Sequence, residues 1–440
     1  MTKRWTRRGG STALLEATDA LPIVDLALRL PVGSLADPPG KGGALRRMAR
    51  LLRRGPRGMD ETAVEEAIAR LGGRLALGIT RESIELQGTV LAEHAPAFAS
   101  LVGRLLAAPA FRARDLARAK REIRAELADV RDDDPSLAAR HLRDLAFGDH
   151  PYGAPTGGTV ASLRRVRRED LVEAHARFLG TGGRIVGAAG PLDRAQADAL
   201  FDAMLVGVPR RRVPRPWVPA TRFPRGRRVR IVHRPGRQQV QLGIAALGTH
   251  RRDPERLPLL VAETAFGGTF ASELTHEIRS VRGWSYYAGS TLRAGGKRDL
   301  LELWAHPATE VAAACAEREL ELLARWAADG PRPEDLRRAK TYLVGSRAFD
   351  EETAARRLEL AFLQEIGGAV GGFRTAVRRV TRASAAKAVR RRIQPRDLAI
   401  VAVGDRRVLR PALEALSGVS SVEVCDARRP LQRSAPTLTE

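Results

Sequence analysis

"DLRRAKTYL", residues 335–343, echoes "DLARAKREI", residues 115–123, at an offset of 220 residues, and this echo decides the architecture. Two further pairs keep it company. "RIVGAAG" ending at Gly190 returns as "AIVAVG" ending at Gly404, and "LALRLPVGS" ending at Ser34 returns as "LGIAALGT" ending at Thr249. Landmarks in the same order at a nearly constant offset point to an internal duplication. The period is far longer than a solenoid repeat, so one fold used twice is expected. At 440 residues the chain is also too long for a single ordinary core.

Each copy runs strand, helix, strands, long helices, closing strand. "GGALRRMARLLRRG" places Leu45, Met48, Leu51 and Leu52 at helical spacing, and "RLALGITRESIELQGTVL" alternates as two strands broken near Thr80–Arg81. "ARDLARAKREIRAELADVR" and "PEDLRRAKTYLVGSRAF" read as amphipathic helices with acidic starts. The expected fold class is α+β, with two tandem homologous domains, each a mostly antiparallel sheet packed against helices. The expected boundaries are a first domain at 1–205, a Pro/Arg-rich linker at 206–228, a second domain at 229–426 and a flexible tail at 427–440. No G-x-G-x-x-G or Walker loop is present.

Composition narrows the function classes. With 44% hydrophobic and 29% charged residues the chain is ordinary globular protein. It has no 18-residue apolar segment and no signal-peptide run, so no membrane span is expected. Cys315 and Cys425 are single cysteines in apolar runs, which suits a reducing compartment, and cytoplasm is the expectation. The net charge of +24 comes mostly from Arg and is densest at RRRVPRP (210–216) and AVRRRIQPR (388–396). It would attract nucleic acid or an acidic partner. Aromatics make up only 5% and no nucleic-acid-binding signature accompanies the charge, so nucleic acid is not the expected partner.

Five segments carry a family likeness: 32–55, 71–83, 119–135, "GDHPYGAPTGGTV" (148–160) and "AFGGTFASELTHEIRSVRGWSYYAGS" (265–290). Together they resemble the insulinase/pitrilysin family of zinc metallopeptidases, in the two-domain form similar to the subunits of mitochondrial processing peptidase. Peptide-cutting members carry H-x-x-E-H on the helix after the Gly turn. Two His at i and i+4 hold zinc, and the Glu activates its water. Here Arg46, Arg47, Met48, Ala49 and Arg50 occupy that stretch. Arg offers a metal no lone pair and Ala49 cannot act as a base. Glu126 matches the spacing of the family's third ligand and is left without a metal. A salt bridge to Arg50 or Arg46 is the expected substitute.

The resemblance assigns a second site. The family's second domain carries an Arg and a Tyr seven residues apart that hold the substrate backbone and stabilise the oxyanion at a zinc site across a cleft. Arg279 and Tyr286 are the matching positions. Read locally, Phe270, Leu274 and Ile278 form one helical stripe ended at Gly283, and "WSYYAGSTL" follows as a strand with Tyr286 and Tyr287 on opposite faces. The eight His show no paired ligand spacing, and no Ser–His–Asp or Cys–His arrangement is evident. The resulting expectation is a non-catalytic subunit with no activity alone and no cofactor of its own. It would pair as a heterodimer with a zinc-bearing paralogue and a peptide substrate. The competing reading is an inert scaffold subunit, as the core proteins of respiratory complexes resemble.

Overall fold

The computed structural model describes residues 2–208 and 217–428. The RRRVPRP run, most of the expected tail and the middle of the expected linker lie outside the described residues. The first sheet contains β1 (Lys3–Thr6), β2 (Thr12–Ala17), β3 (Ile23–Leu30), β4 (Arg74–Ile79), β5 (Ile84–Leu91) and β6 (Ile185–Gly190). The second contains β7 (Arg227–His233), β8 (Gln241–Leu247), β9 (Thr249–His250), β10 (Ala288–Gly295), β11 (Arg298–Ala305), β12 (Leu398–Gly404) and β13 (Val419–Asp426). Their orders are β1-β2-β6-β3-β5-β4 and β13-β7-β12-β8-β11-β10-β9. Within these, β2-β6-β3-β5-β4 and β7-β12-β8-β11-β10 have the same topology. In each the first pair is parallel and the others antiparallel. The fold is α+β, and the repeated sequence landmarks are repeated sheet positions.

Strands β6 and β12 are apolar along their whole length because both faces are covered. What covers them crosses between the halves. The helix Asp134–Phe147, from the first half, lies on β8 and β12 of the second sheet. Its Leu137, Leu142 and Leu145 share a core with Val232, Ala245, Val401 and Val403. Reciprocally, the helix Ala354–Glu365 lies on β2 and β6 of the first sheet, with Leu358, Ala361 and Phe362 against Leu14, Ile185 and Ala189. Gly187 makes this approach possible, since a Cβ there would sit 2.4 Å from the Phe362 ring. Ion pairs line the same seam. Arg357 meets the buried Glu16 at 2.7 Å, Arg230 meets Asp144 at 2.7 Å, and Arg143 meets Asp299 at 2.9 Å.

Because each sheet needs a helix from the other half, the described chain should unfold in one cooperative step. Phe362→Ala should cost about 3–5 kcal/mol and lower the stability of both halves together. Denaturant unfolding followed at Trp5 in the first half and Trp326 in the second would check this. Separate transitions at the two probes would refute it.

The second core holds a fully buried acid. Glu319, on the helix Ala312–Asp329, is 0% exposed, and neither carboxylate oxygen has a hydrogen-bond partner. Burial pushes its pKa up to about 8. The folded state therefore keeps a proton that the unfolded chain releases above its ordinary value of 4.5, so this contribution to stability declines as pH rises from there to about 8. Glu319→Leu should remove that decline and raise stability at pH 8 by up to about 5 kcal/mol. Parallel denaturation curves at pH 5 and pH 8 read the difference, and an unchanged pH slope in the variant would overturn it.

Candidate functional site

The helix Ala44–Leu52 buries Leu45, Met48, Leu51 and Leu52 and turns Arg46 and Arg50 outward. Gly43 enters it at φ +85, packed so tightly that a Cβ would lie 2.4 Å from the carbonyl oxygen of Gly157. Asp37 fixes the start. Its carboxylate accepts from the backbone N–H of Gly43 at 2.6 Å and of Leu45 at 2.8 Å, which satisfies two of the helix's free donors. Burial pushes the Asp37 pKa up to about 7, against those donors and Arg47. Nothing in the sequence pattern marked Asp37, because the capping carboxylate stands several residues ahead of the helix it caps.

The structure brings Arg46, Arg50 and Glu126 together. One Glu126 oxygen accepts from Arg46 Nη2 at 3.1 Å and the other from Arg50 Nη2 at 2.6 Å. The network continues outward. Arg54 reaches Glu122 at 2.9 Å and also Glu61, Arg118 bonds both of those acids, and Arg53 holds Glu65 through two bonds. For Glu122, burial opposes ionisation, but Arg54, Arg50 and Arg118 prevail and lower its pKa. Ala49, on the same turn, adds only a methyl group. This wall and the residues Leu77, Gly78 and Ile79 of edge strand β4 line an open cavity of about 630 Å³. Among the described residues, no group of three His, Cys, Asp or Glu stands together as metal ligands would. The residues at the ligand positions do not fit zinc, because two guanidiniums supply donors where a metal needs lone pairs.

The second cluster differs from expectation in two elements. Phe270 is not part of a buried helical stripe. The helical part is confined to Glu273–Val281, and Phe270 stands 70% exposed in the loop after the Gly267–Gly268 turn, while Leu274 and Ile278 are buried as expected. Nor are Tyr286 and Tyr287 on opposite faces of a strand. β10 begins only at Ala288, because Ser285 Oγ donates to the Tyr287 carbonyl and accepts from the His306 N–H, folding the chain into a bend. Both tyrosines are exposed, and their rings meet edge-on at 4.8 Å.

Arg279 lies in a widened helical turn of the π type. There the Arg282 N–H donates to the Glu277 carbonyl, and Gly283, at φ +64, ends the segment as expected. Its guanidinium carbon sits 3.9 Å from the Phe270 ring centre and 4.5 Å from that of Tyr286. No carboxylate of the described residues lies within ion-pair distance of it, and Nη1 is buried without an acceptor. The nearby acids are already engaged. Glu277 binds Arg282 and Arg318, and Glu273 binds Arg325 and Arg332. Arg279 and Tyr286 thus form one unit. Neither makes a hydrogen bond or ring contact with the Arg46–Glu126–Arg50 group, which belongs to the other half.

One pairing had no trace in the sequence. Cys425 Sγ lies 3.8 Å from His141 Nδ1. Burial, followed by Arg230, pushes His141 down to about 3, and burial pushes Cys425 up to about 11. Both stay neutral, the reverse of an activated thiolate. The basic run at 388–396 is also internally engaged. Arg391 and Arg392 bind Glu255, and Arg392 also binds Asp253. No helix of the described residues is long and apolar enough to cross a membrane.

These geometries rank what holds the Ala44–Leu52 helix. The arginines around Glu126 are about one-third exposed, as is Glu126 itself, so Glu126→Gln should cost less than about 1 kcal/mol. Asp37→Ala, which uncaps a buried helix start, should cost about 1–2 kcal/mol. Thermal melts of the two variants give the order, and a larger loss in Glu126→Gln would reverse it.

Comparison with known proteins follows the same division. Residues 12–160 match the family model described as insulinase (peptidase family M16), and residues 165–343 match that of the peptidase M16 inactive domain. An uncharacterized zinc protease of Mycobacterium tuberculosis is 28% identical over 363 residues, covering 81% of this chain and 82% of that protein. One from Streptomyces coelicolor is 24% identical over 290 residues, covering 64% of this chain and 63% of its own length. Among solved structures, a peptidase M16 inactive domain from Pseudomonas fluorescens superposes with a TM-score of 0.84 at 21% identity, covering 92% of this chain and 98% of that one. A protease from Helicobacter pylori gives 0.80 at 12% identity, covering 92% and 99%.

Proposed function

Because the chain belongs to the insulinase family, peptidase family M16, we propose that it is the non-catalytic subunit of a zinc peptidase, lending Arg279 and Tyr286 to a paralogue's metal site. The observation that carries this reading is the state of Arg279. A guanidinium with no carboxylate partner is held at the surface by two rings, while every acid beside it is engaged elsewhere. A packing arginine in so acid-rich a segment would pair with Glu277 or Glu273. An arginine kept free, with an exposed phenol in contact, suits donation to an incoming peptide carbonyl and to the oxyanion formed on attack.

The first half supports the complementary part of the reading. Arg46 and Arg50 stand where the family's ligands would, Ala49 where its base would, and Glu126 is neutralised by the two arginines. The chain alone is therefore inert, and zinc and general base come from the paralogue in a heterodimer acting on peptides. The open edge of β4 beside that wall could seat an extended peptide by strand addition.

Two measurements test this. Metal analysis of the chain, purified without chelator, should find no stoichiometric zinc; one zinc per chain would refute the first part. In the reconstituted pair, Arg279→Ala and Tyr286→Phe should each lower peptide turnover by about 10²–10³ without changing assembly. Tyr287→Phe, which keeps its ring against Tyr286, should do little. Full turnover in both variants, or from the paralogue alone, would leave this chain a scaffold subunit.

A further inference from the structure

The seam between the halves forms an open cavity of about 760 Å³, set apart from both clusters described above. Its walls come from the first half, around Arg29, Val32, Leu35 and Arg81, and from the second, around Arg251, Arg252, Lys297 and Ile366, with Trp217 and Val218 alongside. Five cationic side chains line it, against two carboxylates, Glu82 and Glu365.

Both acids are engaged. Glu82 accepts from the Tyr152 hydroxyl, from the Gly296 N–H at 2.7 Å and from Arg251, while Glu365 pairs with Arg4 at 2.6 Å. Arg29 takes Glu85 from outside the cavity. That leaves Arg81, Arg252 and Lys297 with no carboxylate of the described residues in ion-pair distance. It also leaves three buried guanidinium nitrogens without an acceptor, Nη1 of Arg29, Nε of Arg81 and Nε of Arg251, all on lining residues. Arg29 itself is only 9% exposed.

Buried charged donors without acceptors are costly, and like charges gathered in one low-dielectric space add to the cost. Such an arrangement is maintained where an anion completes it. The volume far exceeds a single inorganic ion and falls in the range of small-molecule sites. Apolar residues share the walls with the cations.

We propose that the seam cavity is a binding site for a small organic dianion, a phosphate group on an apolar body. Arg81, Arg252 and Lys297 would receive the charge, with the free nitrogens of Arg29 and Arg251 as further donors, and Val32, Leu35 and Ile366 the apolar part. Planar guanidinium forks match phosphate oxygens in pairs. Because residues of both halves contribute, occupancy tightens the seam. The site is independent of the peptidase reading and needs no partner subunit.

The experiment is titration calorimetry on the isolated chain with three probes, phenyl phosphate, inorganic phosphate and benzyl alcohol. Phenyl phosphate should bind one per chain, about tenfold or more tighter than inorganic phosphate, with no heat from the uncharged alcohol. Arg81→Met and the more exposed pair Arg252→Met/Lys297→Met should each weaken phenyl phosphate about tenfold or more, while Arg81→Lys keeps most of the affinity. Should Arg81→Met fail to fold, the exposed double variant decides. No phenyl phosphate binding at millimolar concentration, affinity equal to inorganic phosphate, or unchanged affinity in the double variant would overturn the proposal.

Discussion

Everything else in the molecule depends on a reciprocal loan. Each sheet has one face covered by its own helices and the other by a helix belonging to the opposite half. An apolar sheet face left in water would cost about 25 cal/mol for every Å² exposed, so neither half is a finished object without the other. The pairing of Arg357 with the buried Glu16, and of Arg230 with Asp144, follows from that apolar contact. These charges can be buried because the helices fix their partners in place. The two candidate clusters inherit this rigidity, since each is carried on elements anchored to a sheet that the opposite half completes.

The duplication was legible because it left a nearly constant spacing in the sequence, with β6 and β12 matching as RIVGAAG and AIVAVG. The exchange of helices was not. Periodicity shows that Leu137, Leu142 and Leu145 share a face, but no local pattern says which sheet that face meets, because the partner residues lie far along the chain. The meeting of Arg46 and Arg50 with Glu126 could be read from the sequence, since it depends on side-chain identity at fixed spacing. The segment at Tyr286 could not. Its aromatics favour a strand, yet the turn is set by the Ser285 hydroxyl bonding to backbone on either side, an interaction with no periodic trace. Phe270 misled for the opposite reason. It fits the spacing of Leu274 and Ile278, but the chain has not begun to coil at that point.

The charge of +24 also looks different in three dimensions. Many arginines serve as internal connectors. They bridge acids on neighbouring helices, cap carbonyls, and hold Glu126 from two sides. Two guanidiniums deliver positive charge to a carboxylate as a metal would, but they cannot polarise a water. Against this background the arginines without acids are the informative ones, at Arg279 and along the seam.

The exchanged helices also set an order of events during synthesis. The first sheet is complete once β6 has left the ribosome, yet the helix that covers its second face, Ala354–Glu365, is encoded more than 150 residues later. At the usual elongation rates of about 5–20 residues per second that delay is on the order of ten seconds. For that interval Leu14, Ile185 and Ala189 have no cover, and the gap at Gly187 is open to any apolar helix that reaches it first. A nascent chain of this design needs a transient companion, or a neighbouring nascent chain becomes one. The same geometry that makes the finished molecule a single cooperative body makes its half-made form adhesive.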